Sequence, residues 1–204
     1  MQQESIPIPD FDKLFEDLEH PNPNINQNAY RNMISFWPEQ SIPRLIGNMR
    51  MDDDNLRRKS LIAISAFGGV AIDPLAELFF STKAIIVRTT CIKAFAMILY
   101  RERLETFPDA LLDVIENAIS DDSPQVILCL VSLLRNMQKY GLSKLMSMVN
   151  DSNILRAKAA ITALSEFRDE EAYICLKKIY EDQSNDAFLR LASREAMDAR
   201  FDCI

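Results

Sequence analysis

The sequence has little of what usually divides a chain into domains or supports enzyme chemistry. It contains four glycines in 204 residues, and no linker rich in Gly, Ser or Pro interrupts it. We therefore expect a single domain over residues 1–204. A phosphate-binding glycine loop and the G-x-S-x-G, G-x-G-x-x-G and H-E-x-x-H motifs are all missing. Because His20 is the single histidine, a Ser-His or Cys-His pair has little basis, and no catalytic residue can be assigned.

The cysteines are too few and too widely spaced to predict a metal or redox site. They are Cys91, Cys129, Cys175 and Cys203. No C-x-x-C pair occurs, and one histidine cannot complete a zinc ligand set. We favour reduced thiols, with Cys91 and Cys129 packed in the core, over metal or redox chemistry.

Basic residues are outnumbered by acidic ones, 23 against 30, which gives a net charge of -7. Such a chain is repelled by a phosphate backbone, so we expect no nucleic-acid partner. The longest apolar run, Val126 to Leu134, is too short to span a bilayer. The first five residues lack the features of a signal peptide. We expect a soluble, cytoplasmic protein without membrane insertion.

What the sequence does contain is a short motif repeated along its length. In the clearest copies an aliphatic residue and an arginine are followed, three positions after the arginine, by a small residue. The six copies, two of them weaker, begin at Ile25, Leu56, Val87, Val126, Leu155 and Leu189. In every copy another apolar residue stands eight positions after the first. Because offsets 0, 4 and 8 lie near one stripe of an α-helix, each copy predicts a helix with one buried face.

A second apolar segment with helical spacing lies between successive copies, as at Leu45 and Met49. Asp73 and Ser123 each precede a proline, the pattern of an N-cap before a first-turn proline. A helix pair of this length buries its apolar face only by stacking on its neighbours. We therefore predict an all-α fold, an α-solenoid of about six short HEAT-like helix pairs.

Four copies of the motif carry an arginine that could bind ligand. They are Arg57, Arg88, Arg156 and Arg190. A row of guanidinium groups could bind the carboxylates of a ligand or partner. Alternatively, each arginine bonds to the acidic turn before it or to the adjacent repeat. We favour this structural ladder because acidic turns are present and unpaired buried charge is rare, but both interpretations stay open.

Residues that do not recur are further candidates for binding, because the repeat itself does not require them. They are Tyr30, Arg31, Trp37, Arg58, Lys59 and Lys93. Trp37, the only tryptophan, could anchor a partner, although we favour packing at a helix end on the next repeat. Arg58, Lys59 and Lys93 could form a basic patch for propionates or an acidic protein surface. A solvated face is the simpler alternative.

The repeat of about thirty residues with its L/V-R pair resembles the HEAT-like repeats of the phycobilisome lyase family. The similarity is greatest to the small, F- or Z-type subunits of the cyanobacterial phycobiliprotein bilin lyases. Four segments carry it: FDKL at 11–14, HPNP at 20–23, WPE at 37–39 and NLRRKS at 55–60. The length and the six helix pairs also match, so the resemblance covers most of the chain.

The resemblance implies a role in joining a linear tetrapyrrole, a phycobilin, to a cysteine of a phycobiliprotein subunit. A larger HEAT-repeat lyase subunit is the usual partner. The phycobilin would be a transferred ligand and not a permanently bound cofactor. Because the thioether forms on the substrate protein, this chain need only orient bilin and acceptor, as a lyase subunit or as a chaperone. Two alternatives stay open: a phycobilisome-binding factor in antenna degradation, and a general HEAT-type protein-protein adaptor.

Overall fold

The computed structural model describes residues 7–201, and these contain helices but no β-strand. The helices are α1 Phe11–Glu19, α2 Pro23–Phe36, α3 Pro38–Arg50, α4 Asp54–Ser65, α5 Ile72–Phe80, α6 Ile85–Glu102, α7 Asp109–Ile119, α8 Pro124–Leu134, α9 Gln138–Met148, α10 Ile154–Leu164, α11 Glu170–Glu181 and α12 Ala187–Phe201. A 3-10 helix, Gly68–Ala71, leads directly into α5. The first five residues and Cys203 lie outside the described part of the chain. The predicted all-α fold is confirmed.

The helices group into two compact units, residues 1–112 and 113–204, with the boundary inside α7. In unit 1, α1 packs on α2, α3 on α4, and α6 on both α4 and α5. In unit 2, α8 and α9 pack on each other and on α10, and α12 packs on α10 and α11. This grouping does not test the expectation of one domain over residues 1–204, which stays a prediction.

All six copies of the motif lie on helices, namely on α2, α4, α6, α8, α10 and α12. The residue eight positions after the start is buried in each copy, at Met33, Ile64, Phe95, Leu134, Ala163 and Met197. The first residue of the copy is buried or half-buried in five copies. In the fifth copy it is Leu155, which is 61% exposed. The predicted buried face is therefore confirmed except at this position, where the prediction is wrong.

The N-cap residues of the helices agree only in part with the sequence analysis. Asp53 and Asn153 cap α4 and α10, each accepting a hydrogen bond from a backbone N–H of the first turn. Ser123 is at the N-cap position of α8, but its hydroxyl makes no cap bond. The prediction for Asp73 is wrong, because the 3-10 helix passes directly into α5 and Asp73 already lies in the first turn. No helix among residues 7–201 is both long enough and apolar enough to cross a bilayer.

Candidate functional site

Arg57 is tied to the turn that precedes its own helix. Its side chain is almost fully buried at the start of α4. Nη1 forms an ion pair with Asp54, and Nη2 donates a hydrogen bond to the Met51 carbonyl at 2.6 Å. The arginine thus closes the turn between α3 and α4.

Arg156 makes the corresponding contacts in unit 2. Its Nε and Nη2 donate to the two carboxylate oxygens of Asp151 at 2.9 and 3.0 Å, a bidentate pair. Its Nη1 reaches the turn before α8 and donates to the Asp121 carbonyl at 3.3 Å. The hydrogen bonds from Arg156 hold the pKa of Asp151 below its usual value. Arg156 therefore joins its own turn to that of the preceding repeat.

The other two arginines also contact the preceding helix. The Arg88 guanidinium lies 4.3 Å from the ring centroid of Phe79 on α5. Arg190 Nε donates to the Tyr180 carbonyl on α11 at 3.1 Å. Arg57 and Arg156 thus bond to an acidic residue at the start of or before their helices, as the structural ladder predicts, whereas Arg88 and Arg190 contact the preceding helix of their own pair. A direct role of these arginines in ligand binding is not tested by these contacts and stays a prediction.

Two of the candidates that do not recur hold helix α1 in place. Trp37 Nε1 donates to the Pro9 carbonyl at 2.9 Å, and its ring lies 5.5 Å from that of Phe11. Lys59 Nζ donates to backbone carbonyls at the C-terminal end of α1, including that of His20 at 3.2 Å. A cation at this end of a helix is favoured by the helix dipole. Trp37 thus packs at a helix end, but these contacts are with the preceding segment around α1 and not with the next repeat. Lys59 also has a structural role.

Asn26 is a residue whose role the sequence analysis missed. Its Nδ2 donates to the carbonyls of Asp17, Leu18 and His20 at 2.9, 2.9 and 2.6 Å, which caps the C-terminal end of α1. Asn26 occupies the arginine position of the first motif copy. This position in the motif could have indicated the role of Asn26. The asparagine contacts the segment before its own helix, as the arginines do in later copies.

The remaining candidates lie at or near the surface of unit 1. Arg31, Arg58 and Lys93 are exposed, and Tyr30 is half-buried. Their predicted role in binding a ligand or partner is not tested by their positions and stays a prediction.

The thiols differ in their burial. Cys91 is buried, which raises its pKa to about 12, so the thiol stays protonated at neutral pH. Cys129 and Cys175 are only half-buried. The prediction of a core position is confirmed for Cys91 and wrong for Cys129, since solvent reaches one side of α8 there. Among the residues described, no three His, Cys, Asp or Glu side chains cluster as a metal site would require.

Unit 2 has an apolar groove between α8 and α10, which encloses about 370 Å³. Its floor consists of Ile127 and Val131 from α8 and of Ala159 and Ala163 from α10. The two alanines leave space that larger side chains would fill. We call this surface the α8–α10 groove.

Two exposed leucines lie at the rim of this groove. Leu128 on α8 is 62% exposed and Leu155 on α10 is 61% exposed. Leu155 is the motif residue that should have been buried, and it is exposed because it faces the open groove. Exposed apolar side chains that meet in one concavity are typical of a binding surface.

The cations along the groove differ in whether a carboxylate neutralises them. Arg135 forms an ion pair with Glu166, and Arg156 is held by the bidentate pair described above. Lys158 Nζ lies 4.4 Å from the ring centroid of Phe188 on α12, and it has no ion pair within residues 7–201. Lys158 is therefore the groove cation that remains available to an anionic ligand.

Two curated proteins are similar to this chain over most of its length, although no protein-family model matches it. The chain is 23% identical over 179 residues to the bilin biosynthesis protein CpeZ of Synechococcus sp. (strain WH8020). The match covers 85% of this chain and 96% of CpeZ. It is 21% identical over 188 residues to the uncharacterized phycocyanin operon protein Z of Pseudanabaena tenuis (strain PCC 7409). That match covers 92% of this chain and 93% of the Pseudanabaena protein. These proteins are homologues of the type that the resemblance predicted.

A solved structure supports the fold class independently. The X-ray structure of YibA from E. coli matches 96% of this chain and 72% of its own, with a TM-score of 0.54 and 14% identity. At that identity the match shows fold alone. The predicted resemblance is confirmed: the chain has the fold class of helical-repeat proteins, and its homologues are CpeZ and phycocyanin operon protein Z.

Proposed function

We propose that this chain takes part, in the cytoplasm, in attaching a linear tetrapyrrole to a cysteine of a phycobiliprotein subunit. The observation that carries the proposal is the similarity to CpeZ over 85% of the chain. CpeZ is named as a bilin biosynthesis protein. The match extends over nearly the whole of that relative, so it is not limited to a few shared repeats.

The contribution that we propose is binding and orientation. The thioether bond forms between the bilin and a cysteine of the acceptor protein, so no nucleophile from this chain is needed. Consistent with this, the Cys91 thiol is buried and protonated, and burial raises the pKa of Cys175 as well. Holding bilin and acceptor together converts a slow encounter into a step between neighbouring groups. This chain would therefore act as a lyase subunit or a chaperone.

The partners that we propose are a phycobiliprotein subunit and a larger HEAT-repeat lyase subunit. Exposed cations that make no hydrogen bond or ion pair with another residue of the 7–201 range support such docking. Arg31, Arg58 and Lys93 are exposed cations of unit 1 in an otherwise acidic chain. These three residues can meet an acidic protein surface without disturbing the contacts that hold the helices together.

Coexpression tests the proposal. A biliprotein subunit, the enzymes that make its bilin and the larger HEAT-repeat subunit are produced together, with and without this chain. We expect this chain to raise the covalently bound bilin severalfold, measured as bilin fluorescence of the denatured biliprotein. Denaturation removes bilin that is bound only noncovalently. A biliprotein whose acceptor cysteine is replaced by serine is the control, and it should stay unlabelled.

Unchanged yields with every phycocyanin and phycoerythrin subunit tested would contradict the proposal. If the chain then binds only biliproteins that already carry their chromophore, a factor in antenna degradation becomes the better hypothesis. If it binds neither bilin nor biliprotein, a general adaptor remains.

A further inference from the structure

We infer that the α8–α10 groove binds the tetrapyrrole itself, with the conjugated rings on the apolar floor and one propionate on Lys158. The inference rests on the proposed function and adds to it the place of binding and the groups that recognise the ligand.

The shape and apolarity of the groove suit a flat conjugated ligand. Its volume of about 370 Å³ is within the range of small-molecule sites. Ile127 and Val131 are nearly fully buried beneath the surface, so the floor is firm. Leu128 and Leu155 remain largely in water. A ligand lying between them would cover both side chains, and removing that apolar surface from water favours binding.

The charges around the groove favour a carboxylate at Lys158. A bilin carries two propionates, so it is an anion at neutral pH. Arg135 and Arg156 already have carboxylate partners, whereas Lys158 lies beside the Phe188 ring and has no ion pair among residues 7–201. Asp121 and Asp122, in the turn before α8, make that end of the groove acidic, which disfavours a propionate there.

The neighbouring aromatic residue extends the apolar surface beyond the groove. Phe188 is 45% exposed and lies beside Lys158. A pyrrole ring of the bound tetrapyrrole can pack against it while the adjacent propionate meets the ammonium group. Phe188 would thus contact a pyrrole ring of the ligand, and Lys158 would bind its propionate.

Titration of the purified full-length chain with biliverdin, a linear tetrapyrrole with two propionates, tests the inference. Binding is followed by absorbance and by the circular dichroism that a bound bilin acquires. We expect Leu155→Glu to weaken binding at least about tenfold, because it puts a buried charge beside the ligand. The matched control is Ile86→Glu, since Ile86 is also the second residue of its helix and is 49% exposed. It should leave the affinity unchanged.

The role of Lys158 is tested by removing either charge of the pair. Lys158→Met, or the dimethyl ester of biliverdin with the wild-type chain, should each weaken binding by up to about fivefold. Binding of the dimethyl ester to the Lys158→Met variant should be no weaker than with either change alone, because both changes remove the same interaction. Lys177→Met, which removes an exposed lysine of α11, should have no effect.

Failure of this inference can be distinguished from failure of the proposed function. If biliverdin does not bind, or binds equally well to wild type, Leu155→Glu and Leu128→Glu, the groove is not the bilin site. The coexpression yield can still rise in that case, and the proposed function stands. If the groove variants lose binding of the biliprotein instead of biliverdin, the groove is a protein-docking surface and the inference is wrong. Far-UV circular dichroism confirms that each variant is folded, and Leu128→Glu replaces Leu155→Glu if the latter is not.

Discussion

Replacing Gly141 by alanine should lower the free energy of unfolding by about 3 kcal/mol. Gly141 is buried in α9, and a Cβ atom there would lie 1.9 Å from the carbonyl oxygen of Leu134 at the end of α8. The obstacle is backbone, so no rotamer change can relieve the clash. The two helices would have to move apart, with loss of packing in the centre of unit 2.

Gly47→Ala is the matched control for this prediction. Gly47 lies in α3, and an added Cβ would meet no atom within 4 Å. Alanine there should stabilise the protein by about 0.5–1 kcal/mol, since it lowers the conformational entropy of the unfolded chain. Urea unfolding followed by circular dichroism measures both variants. Similar changes for Gly141→Ala and Gly47→Ala would show that α8 and α9 do not pack as described.

Replacing Arg57 by alanine should lower the free energy of unfolding by about 2–4 kcal/mol. The side chain of Asp54 is 92% exposed and returns to water, so the ion pair itself contributes little of this. The larger loss comes from the space that the buried side chain vacates, and the hydrogen bond to the Met51 carbonyl at 2.6 Å is lost as well. The turn between α3 and α4 would loosen as a result.

The neighbouring Arg58 provides the control for Arg57. Arg58 is exposed, and Arg58→Ala should change stability by no more than about 0.5 kcal/mol. Arg57→Lys should recover only part of the loss, because an ammonium cannot reproduce the two-sided contact of the guanidinium. Equal effects of Arg57→Ala and Arg58→Ala in urea unfolding would contradict the structural ladder.

The helix pairs could be predicted from the sequence because they depend on local spacing. The position eight residues into each motif copy is buried on all six helices, as a helical stripe requires. The acidic partners of Arg57 and Arg156 were predictable for the same reason, since they lie a few residues away in sequence, whereas the contacts of Arg88 and Arg190 were not predicted. Asp73 was misassigned because the preceding 3-10 helix has no strong sequence signal.

The groove could not be predicted, because it depends on the distance between helices that are far apart in sequence. Leu155 fits the buried stripe by type and position, yet its exposure is decided by how closely α10 approaches α8. Leu128 gave a weak signal, since it lies off the stripe at offsets 0, 4 and 8. Lys158 gave none, because nothing in one sequence distinguishes a lysine beside a groove from an ordinary surface lysine.

The covalent bilin yield of coexpressed biliprotein, compared between the wild-type chain and two of its variants, tests the central claim most directly. We expect Ile86→Glu to support the same yield as the wild type, and Leu155→Glu to give no more than the yield without the chain. A folded Leu155→Glu variant that supports the full yield would contradict the claim that bilin attachment depends on the α8–α10 groove.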